Sequence, residues 1–170
     1  MKRPSTASDH LEWEALVGRA LLRFGDIEYV SVRCLDVIPD ERVFASTVSL
    51  DFSRRVDVLL EILDNRKVLA PPLSRLRDGF KRAKELAKTR NLIAHNPLML
   101  NLYVNPETQE SKAIYRIDAA RSGKHSITLE ELKEFSVEVD DLAATIWLEF
   151  GNVAGDDGQV WKEFTYIPEP

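Results

Sequence analysis

Pro71 and Pro72 stand at one end of the most strongly patterned segment of this chain, and Pro97 stands at the other. Proline is accepted in the first turn of a helix, where its missing N–H costs little, and it stops a helix that runs into it. Between these limits Leu73, Leu76, Phe80, Ala83, Ala87, Arg90 and Ala94 follow a heptad-like spacing. A seam of that kind packs against neighbouring helices. The segment is therefore predicted to be one long helix of a helical assembly, ending near His95 or Asn96. Arg90 occupies a seam position where an apolar residue is expected. Departures of this sort concentrate at functional sites.

The flanking sequence predicts the rest of the assembly. Leu11, Ala15, Val17, Ala20, Leu21, Phe24, Ile27 and Val30 recur at helical steps after a cap at Ser8 or Asp9, with a break or close approach at Gly25. The pattern resumes through Cys34, Leu35 and Ile38 until Pro39. Val48, Phe52, Val56, Leu59, Leu60 and Leu63 predict a further helix capped by Ser46 or Thr47. After Pro97, Leu98 to Val104 and Lys112 to Ile117 read as a β-hairpin around Asn105-Pro106-Glu107-Thr108. Residues 119–126, with Gly123, read as a loop in which His125 is exposed, as His10 is near the N-terminus. Thr128 and Glu131 have capping-box spacing ahead of a last long helix, which Gly151 is placed to end. The expected fold is thus mainly α: an up-and-down bundle of four or five helices with a small hairpin before the last one. It forms a single domain over residues 1–170, with a flexible stretch at 1–7 and an extended tail at 152–170.

Bulk properties exclude several classes. A chain of 170 residues can bury one real core. No apolar run is long enough to span a membrane, and Met1-Lys2-Arg3-Pro4-Ser5 does not open a secretory signal. Cys34 is the only cysteine, so neither an intrachain disulfide nor a thiolate zinc cluster is available. These readings favour a cytoplasmic protein. No metal site and no cofactor are expected. The acids Glu130, Glu134, Glu138 and Asp141 read as a solvated face of the last helix or one that answers basic residues. Asp57 and Glu61, one turn apart, read as solvated or salt-bridging. Net charge is −5, but residues 66–90 hold nine basic residues against Asp78 and Glu85, a net of +7. Residues 128–170 reverse this, with eleven acids against Lys133 and Lys162. The positive segment leads directly into the end of the proline-bounded helix.

That end reads Lys88-Thr-Arg-Asn-Leu-Ile-Ala-His-Asn-Pro97. Asn91 and His95 lie one turn apart on one face. Arg90 and His95 are separated by roughly 140° around an ideal helix, and converge where the helix end relaxes or the arginine uses its reach. An imidazole can exchange a proton near neutral pH. A guanidinium offers fixed donors to phosphate oxygens and stabilises charge building in a transition state. Asn91 can orient the ring or bind phosphate. The set suits attack of an RNA 2′-hydroxyl on its own phosphate, a reaction that needs no metal. Against this stands a plain helix stop, with Arg90 and His95 satisfying the last carbonyls.

Arg90-Asn91-Leu92-Ile93-Ala94-His95 resembles the RNxxxH form of the R-x4-6-H motif of the HEPN superfamily. The resemblance is specific over about a dozen residues and architectural elsewhere. It implies a metal-independent endoribonuclease acting as a toxin, an anti-phage effector or an RNA-processing enzyme. Arg90 and His95 would be the catalytic pair, with Asn91 in support. It also implies a homodimer whose motif helices form one composite cleft for RNA, and a separate antitoxin or regulatory protein as a further partner. Lys84 and Lys88, one turn apart, would then guide the RNA backbone, or serve as solubilising surface lysines. Some members have lost catalysis and act as nucleotide- or protein-binding modules, which is the alternative reading. The hairpin departs from the minimal bundle of the family.

Overall fold

A computed structural model of the chain describes residues 6–39, 43–119 and 125–155. The elements run α1 (Thr6–Val37), α2 (Phe44–Thr47), α3 (Phe52–Asp64), α4 (Pro71–His95), β1 (Leu98–Val104), β2 (Ser111–Asp118), β3 (Ser126–Ile127) and α5 (Leu129–Ala154). This is a mainly helical fold with a small antiparallel sheet between the motif helix and the last long helix, as the periodicity predicts. Among the described residues no helix is long and apolar enough to cross a membrane.

Cα proximity divides the chain into two compact units, one of residues 1–24 and 86–140 and the other of 25–85 and 141–170. The long helices α1, α4 and α5 each contribute to both. In the first unit Trp13, Ala20, Phe24, Leu86, Ala87, Ile93, Leu132, Phe135 and Val139 are buried, together with Ile117 and Ile127 of the sheet. The sheet order is β1-β2-β3, with β1 against β2 from Leu98↔Ile117 to Val104↔Ser111 without a bulge. The two-residue β3 takes Ser126 out of the expected loop 119–126 and pairs it with Asp118, and pairs Ile127 with Ile117. The hairpin turn sets Gln109 at φ 57°, a left-handed conformation that a non-glycine residue adopts at a cost. Thr128 and Glu131 cap α5 reciprocally: the Thr128 N–H donates to Glu131 Oε2 at 2.8 Å. The Glu131 N–H donates back to Thr128 Oγ1. The Thr128 N–H and the Thr128 hydroxyl, both donating to Glu131 Oε2, hold the Glu131 carboxyl below its ordinary pKa.

In the second unit the core is Ile27, Val30, Cys34, Leu35 and Ile38 of the α1 segment, Phe52, Val56, Leu59 and Leu63 of α3, Leu73, Leu76, Phe80 and Ala83 of α4, and Ala143, Ile146, Phe150 and Ala154 of α5. Burial pushes the Cys34 thiol far above its ordinary pKa, so it is an inert small hydrophobe. The buried Arg55 is satisfied by Ser31 Oγ at 3.0 Å and the Leu50 carbonyl at 2.8 Å.

Several local expectations are corrected. α1 runs unbroken through Gly25, where a Cβ would meet nothing within 4 Å, so the glycine costs only helix propensity. Asp51, not Ser46 or Thr47, caps α3, accepting from the Arg54 N–H at 3.0 Å. The Ser46 and Thr47 hydroxyls instead donate to the Val43 carbonyl and close α2. Val48 falls outside the helices and is exposed. α5 continues past Gly151 to Ala154, whose side chain is buried. Ala94 is exposed, and the buried line at the end of α4 passes through Ile93. The start expected to be flexible over 1–7 is already helical from Thr6, which puts Ser8 and Asp9 inside α1 rather than at its cap, and the tail expected to be extended over 152–170 is helical to Ala154. Residues 1–5, the loop residue Gly123 and residues 156–170 lie outside the described residues.

Candidate functional site

The last turns of α4 belong to the first unit. Leu86, Ala87 and Ile93 bury one side of the helix, and Arg90 sits on the margin of that side, half-buried. Its guanidinium carbon lies 5.0 Å from the centroid of the Phe24 ring on α1. A planar, weakly hydrated cation is attracted to such a face by the ring quadrupole. Burial lowers the Arg90 pKa from its ordinary value, and an arginine still keeps its charge at neutral pH. From this seat Nη1 donates to Asn91 Oδ1 at 2.8 Å. The long side chain thus turns from the core margin toward the exposed face of its own helix.

Lys88, Asn91 and His95 occupy that exposed face. Steps of three and four residues put them in a single stripe. Asn91 therefore links the two directions that the sequence left 140° apart (roughly, on an ideal helix): it shares a face with His95 and holds the guanidinium of Arg90. Direct Arg90–His95 bonding is not part of the arrangement. Among the described residues the His95 side chain has no hydrogen-bond or ion-pair partner. The helix end is stopped by its neighbour, since Asn96 Nδ2 donates to the Leu92 carbonyl at 2.9 Å. Among the described residues nothing engages either ring nitrogen of His95, which is exposed.

Lys84 lies in the other unit and is ion-paired with Asp57 of α3. Other cations of the +7 segment are also matched there. Arg75 grips the buried Glu149 carboxylate with Nε and Nη2 at 2.5 and 2.9 Å. Arg77 pairs with Asp78 and Asp64. Arg82 pairs with Glu85 at 2.6 Å. Lys88 has no such partner among the described residues and is exposed. Hence the structure gathers Arg90, Asn91, His95 and Lys88 on one short stretch, and assigns Lys84 to a salt bridge elsewhere. Among the described residues no group of three or more His, Cys, Asp or Glu is placed to hold a metal ion.

Phe24 is the residue of this site that sequence reasoning did not single out. It appears in the sequence only as one apolar position of the first helix, and nothing in that periodicity assigns it a cation. No family model matches the chain, and no curated protein or solved structure is significantly similar to it.

Proposed function

We propose that this protein is an endoribonuclease of the HEPN type, cleaving RNA by 2′-hydroxyl transesterification without a metal. The observation that carries the reading is the division of labour at the end of α4. Asn96 does the work of a helix stop, while His95 is exposed and, among the described residues, has no hydrogen-bond or ion-pair partner. A histidine kept for structure would be bonded to the last carbonyls. Arg90 is pre-positioned by Phe24 and Asn91, which lowers the entropic cost of clamping a phosphate.

In the proposed reaction an imidazole takes the proton of the 2′-hydroxyl, whose oxygen attacks the adjacent phosphorus. The P–O5′ bond breaks, and the 5′ oxygen receives a proton from a second imidazole. The products are a 2′,3′-cyclic phosphate and a 5′-hydroxyl. One base and one acid are needed at once, and a homodimer supplies two copies of His95. Arg90 neutralises charge on the non-bridging oxygens, and Lys88 holds the backbone beside it. The role would be that of a toxin, an anti-phage effector or an RNA-processing enzyme in the cytoplasm, with a separate antitoxin or regulatory protein as partner.

The test is cleavage of a mixed RNA pool in EDTA by wild type, His95→Ala and Arg90→Ala. Cyclic-phosphate ends from wild type and loss of cutting in both variants are expected. Folded wild type that cuts no RNA class would overturn the activity. One observation favours a second reading, a non-catalytic HEPN-like module that binds a nucleotide or a protein. The ion pairs of Arg75, Arg77, Arg82 and Lys84 consume much of the positive charge that a long RNA would need. Tight binding of a mononucleotide, lost in Arg90→Ala and without turnover, would support it.

A further inference from the structure

The sheet of the first unit has one guarded edge and one open edge. β3 covers β2 only at Ile117 and Asp118, and the rest of that side carries Lys112 and Arg116, charges of the kind that keep sheet edges from pairing. β1 is the other edge: Leu-Met-Leu-Asn-Leu-Tyr-Val, with no charge, no proline and no bulge. Among the described residues nothing pairs with its outer side. Met99, Leu100, Leu102, Tyr103 and Val104 leave 44–70% of their surfaces in solvent. A long, flat, apolar edge is a template for another strand.

We propose that β1 pairs antiparallel with β1 of a second copy of this chain, joining the two three-stranded sheets into one. The hydrogen-bond parity fits this occupant. At the turn the Asn105 N–H donates to the Glu110 carbonyl at 2.8 Å, in line with the β1–β2 register. Bonded and non-bonded pairs alternate along an antiparallel ladder, so Asn101 and Tyr103 turn their backbone groups toward β2. Leu98, Leu100, Leu102 and Val104 turn theirs outward. Full overlap of two copies sets Leu98 opposite Val104 and Leu100 opposite Leu102, each outward group meeting another outward group. Asn101 then lies on the two-fold axis as a close, non-hydrogen-bonded pair. An uncharged strand meets itself without like-charge repulsion, and the pairing is closed and isologous. A single strand is a small interface, so micromolar association is expected. The contact does not involve α4 and does not rest on the proposed activity.

Three variants of the full chain test it by sedimentation and cross-linking. Wild type is expected to pass from monomer to dimer between about 5 and about 200 µM. Leu102→Pro removes an N–H that β2 does not use and fits an edge strand. It should weaken the dimer at least about tenfold while leaving the circular dichroism spectrum unchanged. Asn101→Cys should form an interchain disulfide under mild oxidation, since non-hydrogen-bonded pairs bring their Cα atoms close, and the buried Cys34 does not compete. Tyr103→Cys, which would face Met99, should not cross-link. A wild type that stays monomeric at the top concentration overturns the proposal, whether or not β1 is covered by another part of its own chain. So does an Asn101→Cys variant that dimerises without forming an interchain disulfide, because that dimer is formed elsewhere, as through the α4 helices of the proposed cleft.

Discussion

The two ends of α4 carry similar residues and put them to opposite uses. Up to Glu85 four of the five cations of α4 are held, Arg75 by Glu149, Arg77 by Asp78 and Asp64, Arg82 by Glu85 and Lys84 by Asp57, while Lys81 is exposed. From Leu86 onward the polar groups Lys88, Asn91 and His95 are exposed, and Arg90 lies over an aromatic ring and donates to an amide. A cation beside a carboxylate is already neutralised, so it contributes to packing and orientation and little to ligand attraction. A cation over an aromatic face is held there by the ring quadrupole without a carboxylate being needed for that contact. Local positive charge in a sequence is therefore a poor guide to a binding surface until its counter-ions are known.

The largest effect expected from this contrast is on activity. If the last turns hold the reacting groups, His95→Ala lowers cleavage by about 100-fold or more, with a melting temperature within about 1 °C of wild type. Among the described residues its side chain has no hydrogen-bond or ion-pair partner to lose. A large drop in melting temperature would show that His95 belongs with the structural end of the helix. Arg90→Lys keeps the charge and loses the planar stack, and should cost activity together with about 0.5–1 kcal/mol of stability.

The opposite signature is expected from the first part of the helix. Arg75→Ala strands the buried Glu149 carboxylate and should lower the melting temperature by roughly 5 °C or more, while kcat of the folded fraction is unchanged. Gly79→Val should destabilise by roughly 2 kcal/mol. Even a lone Cβ at Gly79 would stand 3.0 Å from Ile146 Cγ1 and 3.7 Å from Leu142 Cδ1. Urea denaturation reads both.

Acid separates the ends again. The hydrogen bond and charge of Arg75 hold the Glu149 carboxyl below its ordinary pKa, and Arg19 and Arg23 do the same for Asp140. A depressed carboxylate stabilises fully above its unfolded pKa of about 4. That contribution disappears as the pH falls through the lower folded value. Wild type should therefore lose stability below about pH 4, and Arg75→Ala should show a shallower acid limb. The smallest effect concerns the lysines: on the proposed ribonuclease reading, Lys88→Ala should weaken RNA binding by a few-fold in low salt, and Lys84→Ala by less. Equal effects would mean that the Asp57 pair opens when RNA binds.

Much of this was legible in the chain because it is local. Prolines at both ends and helical spacing between them fix α4; Thr128 and Glu131 fix the start of α5; turn residues fix the hairpin. Each depends on neighbours within a turn, which a sequence displays directly. Spacing also picked out Arg90, Asn91 and His95, and the anomaly of an arginine on an apolar seam. What the sequence left open depends on partners far away in the chain. The Phe24 ring under Arg90, the Asp57 carboxylate that occupies Lys84, the Glu149 that holds Arg75 and the close approach of Ile146 to Gly79 are all long-range. Asp51 displaced Ser46 and Thr47 as a cap because those hydroxyls had a nearer carbonyl to satisfy. Local geometry determined which residues share a face; only the tertiary structure decided which of their charges are already answered, because counter-ions and aromatic seats are delivered by folding and not by adjacency.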